Sequence, residues 1–442
     1  MTADGKIVID VWIGMHPFPG YLDPVSAMAD AFNEAHPEYH VNVEGHDFQA
    51  IPEEVVRAVE EGNPPHLAEY YYTSTQTARD TLAADGSPLF ASVEQAIGGR
   101  TEILGEPVLL DKIMPAIRGY YTHRGDLTPM PASATTILLF SNDSLLQQAG
   151  LTEPPRTWDE VEAACKAVAN LPGRTTPSIT WPDHGWFFQM AAAQQGALVA
   201  DQDNGHAGRA TTVDFASDEV LAYVQWWQRL HAEGHYHYSG KQEDWFGCLD
   251  AFTAQESAFM LCTSAMTGPV CMMAGEAGFE VTVSRLPYNG NAPHPGEMVS
   301  GQALWLRGDL DDATRDGALA FSQFMINAEN AAFWHKANGF VPVTHASYEV
   351  LEAEGWFVEF PQLKVASEQL AASSCTTPVL GAQLGDFADI QTHLTQAMED
   401  VLLRGADPVA RFRQATVDAQ ALLDAYNANS AAGRTPVKLR VS

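Results

Sequence analysis

His231, His235 and His237 are the densest set of metal-ligating side chains in this 442-residue chain. Imidazoles four positions apart share a face only on an unbroken helix, and Gly234 interrupts the helix between the first two. His235 and His237 would project to one side of a strand, with no carboxylate or cysteine at ligand spacing to close a site. Asp201-Gln202-Asp203-Asn204-Gly205 has the outline of a calcium loop. Its glycine comes one position early, and Thr212 stands where a bidentate glutamate is needed. Asn204-Gly205 reads instead as a turn that takes positive φ. Asp183-His184 would suit acid–base work, but with no Ser or Cys nucleophile indicated nearby it reads as an exposed histidine. Glu243, Asp244 and Asp183 are the carboxylates a secreted carbohydrate-active enzyme would use as its acid–base pair. The nucleophile elbow, the phosphate loop, the dinucleotide-binding glycine pattern and the zinc-protease helix are all missing from the sequence. No catalytic residue, metal or cofactor is therefore expected, and binding without chemistry is the leading expectation.

The aromatic residues say more. The chain has 10 Trp, 13 Tyr and 20 Phe. Most must serve the core, but several stand in polar, glycine-bearing contexts. Tyr70-Tyr71-Tyr72 runs into Thr73-Ser74-Thr75, Trp181 and Trp186 bracket Pro182-Asp183-His184-Gly185, and Trp245-Phe246 precedes Gly247. Flat rings stack on the CH faces of sugars while hydroxyls and amides take the ligand's own hydroxyls. Such rings also enclose a quaternary ammonium.

The elements that must position these residues alternate between strand and helix. Ile7–Trp12 reads as a strand. Asp23-Pro24 then offers an N-cap with proline at the first helical position, and Val25, Met28, Ala29 and Phe32 form one apolar stripe. Val41–Val43 and Leu67–Tyr71 are further strands, with a helix over Glu53–Glu61 between them. A helical stretch is expected after Gly98-Gly99, and Ile137–Phe140 reads as a strand. Thr157-Trp158-Asp159-Glu160 is a capping box opening a helix to about Asn170. Further helices are expected over 218–232, 311–327 and 407–428. Alternation of this kind implies a mostly parallel sheet with helices on its faces. A chain this long exceeds one compact core. The breaker-rich stretch from Leu286 to Gly296 reads either as a passage between two domains or as a long surface loop.

The formal charge is −32, from 24 basic and 56 acidic residues. So negative a surface repels nucleic-acid phosphates and anionic lipid, and neither is an expected partner. No stretch approaches the ~20 apolar residues of a membrane span. No signal peptide opens the sequence given, which fits a cytosolic protein or one whose export signal has been removed. The five cysteines, an odd number, read first as small buried hydrophobes; a Cys262–Cys271 bridge is the alternative.

Several segments, in order, carry a resemblance: Gly119-Tyr120-Tyr121, the Asn142 to Gly150 stretch, Pro155-Arg156-Thr157-Trp158, Gly301-Gln302-Ala303-Leu304-Trp305, Asn330 to His335, and Gly339 to Thr344. The chain resembles the extracellular solute-binding proteins of ABC importers, most closely the branch that binds glycerol 3-phosphate. That resemblance implies an α/β, two-lobed periplasmic-binding-protein fold with a multi-crossing hinge and an interlobe ligand cleft. By analogy the crossings fall near Thr135–Ile137, in the Pro287–Pro295 loop and near Phe340–Val343. Residues 1–136 with 289–340 would form the first lobe, and 137–288 with 341–442 the second. The implied placement is extracytoplasmic, in a periplasm or as a surface lipoprotein. The implied partners are a small-molecule ligand and the permease transmembrane subunits, and the protein would be a monomer. Carried over by position, Phe48, Tyr72, Trp186 and Phe340 would wall the cleft, and Thr135, Ser264, Gln383 and the Gly301 backbone would orient the ligand. The branch's phosphate-holding arginine is replaced by Gln383, which cannot neutralise a phosphate. The expected ligand is thus neutral or zwitterionic: a glycoside, oligosaccharide or glycerol derivative first, a glycerophosphodiester second.

Overall fold

The computed structural model describes residues 5–16 and 20–435. The opening residues 1–4, on which the sequence bears for export, lie outside them. Eleven strands make two sheets: β1 (Ile7–Met15), β2 (Tyr39–Asp47), β3 (Leu67–Tyr71), β4 (Phe90–Ala91), β5 (Met130–Thr135), β6 (Ile137–Asn142), β7 (Ile179–Thr180), β8 (Tyr236–His237), β9 (Phe259–Thr263), β10 (Val281–Arg285) and β11 (Ser300–Arg307). The first sheet runs β2-β1-β3-β11-β4, with β5 on β11; the second runs β8-β7-β9-β6-β10. β1 is parallel to β2 and β3, whereas β11 is antiparallel to β3, β4 and β5. In the second sheet β7 is parallel to β8 and β9, and β6 is antiparallel to β9 and β10. The late return of β11 to a sheet begun at β1 makes each half discontinuous in sequence.

Local chemistry explains most of these elements. The Leu22–Ala35 helix buries Val25, Met28, Ala29 and Phe32 as its spacing requires. The Trp158–Ala169 helix opens on a complete capping box, with Thr157 accepting from the Glu160 N–H and Glu160 reaching back. β6 and β9 are buried at every position, so they read as continuous apolar runs rather than alternations. The stretch after Gly98-Gly99 differs from expectation: a hairpin over Glu102–Pro107 comes first, and the Pro115–Tyr121 helix only after it. The Trp186–Gln194 helix is buried at all its residues, so no polar face marks its period. All five cysteines are free, which removes the Cys262–Cys271 bridge. Among the described residues no helix is long and apolar enough to cross a membrane.

The chain moves from the first sheet to the second through Thr136 alone, and back between β10 and β11 through 286–299. The third passage lies later than Phe340–Val343. Val341 still bridges Ala134, Thr344 bridges Ile113, and the His345–Ala353 helix packs on Ala328–Asn338. The Val365–Ala372 helix, by contrast, packs on β6 and β10. The switch therefore falls between Ala353 and Val365, because the segment after Phe340 is still hydrogen-bonded to the first half.

Candidate functional site

Strand ends and helix starts from both halves meet around a cavity of about 660 Å³. The first half contributes His16 just past β1, Asp47 at the end of β2, Phe48, Tyr71 at the end of β3, Thr73, Ser74, Thr135 and Phe340. The second contributes His184, Trp186, Glu243 and Trp245, with Thr263 at the end of β9 and Ala388, Asp389, Gln391 and Thr392 from the Phe387–Arg404 helix. Carboxyl ends of parallel strands are where open α/β sheets place ligands, since loops and helix starts converge there.

The first wall is a packed aromatic cluster. His16 stacks on Phe48 with centroids 4.2 Å apart, and Phe48 meets Tyr71 edge-on at 5.2 Å. Phe340 closes the group 5.8 Å from His16. On the second wall Trp245 lies 6.3 Å from Trp186 and 5.6 Å from His184. The indole N–H of Trp186 is buried and has no partner among the described residues.

Of the eight positions singled out in the sequence, Phe48, Thr135, Trp186 and Phe340 line this cavity, and four do not. Tyr72 points away: its ring is buried and its hydroxyl accepts from Gln391 Nε2 at 2.9 Å. Tyr71 takes the cavity position, because neighbours leaving a strand face opposite ways and a one-residue offset in alignment exchanges them. Ser264 is buried, with its Oγ accepting from the Thr136 N–H at 3.2 Å, so it ties the hinge instead of meeting a ligand. Gly301 is pressed on β5 with φ 153°, and a Cβ there would stand 2.0 Å from Ser133 O. Its glycine serves strand packing. Gln383 is buried, accepting from Arg79 Nη1 at 2.6 Å and donating to Tyr120 O. The loop that carries it is turned toward Tyr120 and Asn204 and not into the cavity.

A polar network behind His16 escaped sequence reasoning. Gln302 Nε2 donates to Gly14 O at 2.8 Å and to Glu69 Oε2 at 3.0 Å, which fixes Oε1 as acceptor. Oε1 accepts from Tyr21 at 2.5 Å and from His16 Nε2 at 2.7 Å. Burial pushes the Glu69 carboxyl up to about 8, so at neutral pH it carries a proton. The Tyr21 hydroxyl is directed at both acceptors, Gln302 Oε1 at 2.5 Å and Glu69 Oε1 at 3.2 Å. Burial lowers His16 to about 4, and the ring is neutral with its hydrogen on Nε2. The signal for this network is a glutamate inside the apolar β3 run Leu67-Ala68-Glu69-Tyr70-Tyr71.

Among the described residues the cavity lining holds no lysine or arginine. Of the possible acid–base carboxylates only Glu243 lines it. Asp244 caps the Trp245–Thr253 helix through the Gly247 N–H at 3.1 Å. Asp183 is fully buried, and burial raises its carboxyl well above the ordinary range. No group of His, Cys, Asp or Glu among the described residues has metal-site geometry.

Comparison with known proteins gives a consistent result. The family model for bacterial extracellular solute-binding proteins matches residues 27–364. The sn-glycerol-3-phosphate-binding periplasmic protein UgpB of Pectobacterium atrosepticum is 26% identical over 434 residues, covering 96% of this chain and 93% of its own. Its Yersinia enterocolitica counterpart is 26% identical over 398 residues, covering 87% and 86%. Among solved structures, the cyclic alpha-maltosyl-1,6-maltose binding protein of Arthrobacter globiformis superposes with a TM-score of 0.74 at 20% identity, covering 95% of this chain and 99% of that one. UgpB of Mycobacterium tuberculosis, in complex with glycerophosphocholine, gives 0.73 at 18% identity with the same coverage.

Proposed function

This chain belongs to the bacterial extracellular solute-binding protein family, and from that premise we propose that it is the capture subunit of an ABC importer for a small hydroxylated solute. The ligand would sit in the cavity between Phe48, Tyr71 and Phe340 on one side and Trp186 and Trp245 on the other. The single observation carrying this reading is that rings and hydroxyl-bearing side chains from both halves converge on one cavity that, among the described residues, holds no lysine or arginine. Sugars match such a lining: ring faces take their CH surfaces, and Thr73, Ser74, Thr135, Gln242 and Gln391 offer hydrogen bonds. A glycerophosphodiester is the second reading, because aromatic walls accept a quaternary ammonium. Its phosphate would meet no cation there.

The protein works outside the cytoplasm as a monomer, breaks no bond in its ligand, and presents the loaded form to permease subunits. Family membership and the periplasmic relatives support the extracytoplasmic placement. Micromolar affinity corresponds to about −8 kcal/mol. Trp186→Ala should remove roughly 2–3 kcal/mol of that, a loss near a hundredfold, as a desolvated aromatic anchor does. Calorimetry on a saccharide that binds the parent protein makes the test. Unchanged affinity in Trp186→Ala would refute the site.

A further inference from the structure

Among the described residues, every formally charged side chain lining the cavity is acidic: Asp47, Glu243 and Asp389. Burial lowers both of its imidazoles, His16 to about 4, so neither adds positive charge at neutral pH. The carboxylates come from both halves, Asp47 beside Phe48 on the first and Glu243 and Asp389 on the second. Asp47 Oδ1 is engaged by the Gln49 N–H at 2.9 Å and the Ala50 N–H at 3.2 Å, which holds that carboxylate at the rim without cancelling its charge. The Glu243 N–H donates to Asp183 O at 2.9 Å and sets Glu243 beside Trp245. Aromatic faces are themselves the negative end of the ring quadrupole. Rings and carboxylates thus favour one kind of guest, and both disfavour an anion.

Building on the solute-binding reading above, we propose that the ligand carries a positively charged nitrogen on a hydroxylated scaffold and no anionic group. A cation held between Asp47 on the first half and Glu243 or Asp389 on the second is attracted to both halves, so its charge favours the closed form over the open one. This separates the protein from its glycerol-3-phosphate-binding relatives by charge while keeping the same fold.

Titration calorimetry of the full chain at pH 6 tests this. The probes are the free-amine dimer of glucosamine, its N-acetylated counterpart, cellobiose, choline and glycerol 3-phosphate. The amine dimer should bind at least about tenfold tighter than the acetylated one, and glycerol 3-phosphate should not bind. Raising salt from low to about 0.5 M should weaken the amine arm severalfold and leave the neutral arms nearly unmoved. Glu243→Gln and, independently, Asp389→Asn should each narrow the amine-to-acetyl ratio by about tenfold. Choline binding with the same dependence on Glu243 also supports the proposal and assigns the charge to a quaternary ammonium; binding of the amine alone assigns it to a protonated amine. Equal affinity for amine and acetylated dimers, or tighter binding of glycerol 3-phosphate, overturns this inference and leaves the solute-binding reading standing. Absence of binding in every arm overturns both.

Discussion

Glu69 lies one residue behind the ring that forms the cavity wall: it is bonded to Gln302, which holds His16. Its folded-state value of about 8 is above its ordinary 4.5, so its neutral form stabilises the fold fully below about pH 4.5. That contribution is lost as pH rises through about 8. Relative to Glu69→Gln, the parent protein should lose on the order of 4 kcal/mol of unfolding free energy between those limits. Urea titrations at pH 5, 6.5 and 8 measure it, and a constant difference between the two proteins would contradict a buried neutral carboxyl. His16 works with the opposite sign. Its folded value near 4 lies below 6.5, so the stability it contributes is present above pH 6.5 and is lost as pH falls toward 4. The site residues legible in the sequence as rings in polar company were Trp186 and Trp245, whereas Phe48 came from the family resemblance. Tyr72 and Gln383 misled because sequence position does not tell which of two neighbours faces a groove, nor which way a loop turns.

At the scale of elements, the cavity depends on where helices start. Asp244 caps the helix that presents Trp245. Asp244→Ala should cost about 1 kcal/mol of stability. It should weaken ligand binding less than Trp186→Ala does, since it loosens a wall and removes no contact; an effect as large as that of Trp186→Ala would instead make Asp244 a contact residue. β11 depends on Gly301, whose φ of 153° and 2.0 Å approach to Ser133 O leave no room for a side chain. Gly301→Ala should destabilise the protein by more than about 3 kcal/mol, read as a lowered urea midpoint. The Phe387–Arg404 helix, which lines the cavity, carries the readable stripe Phe387, Ile390, Leu394, Met398 and Val401. The Trp186–Gln194 helix has no such stripe, because it is covered on every side.

At the scale of the molecule, two sheets share one cavity and are joined by three passages, the first only Thr136 long. A ligand that touches both halves favours their approach. X-ray scattering should therefore show a smaller radius of gyration on adding a bound saccharide, with no change for a sugar that calorimetry finds inert. Gln391 Nε2 to the Tyr72 hydroxyl already ties segments distant in sequence at the cavity, and Arg209 to Asp80 ties another such pair.

The amino-acid sequence determined the class of this protein: the α/β alternation, the aromatic and hydroxyl-rich character of its ligand-facing residues, and the lack of a phosphate-binding cation. The first two follow from local periodicity, capping and composition, which each short stretch carries on its own; the third rested on the family resemblance at Gln383. Tertiary structure alone decided that Tyr71 and not Tyr72 meets the cavity, that Gln383 turns to Arg79, and that His16, Glu69 and Gln302 form one network. Those outcomes rest on pairings between residues up to 304 positions apart. Such contacts exist only once both sheets have closed around the same space.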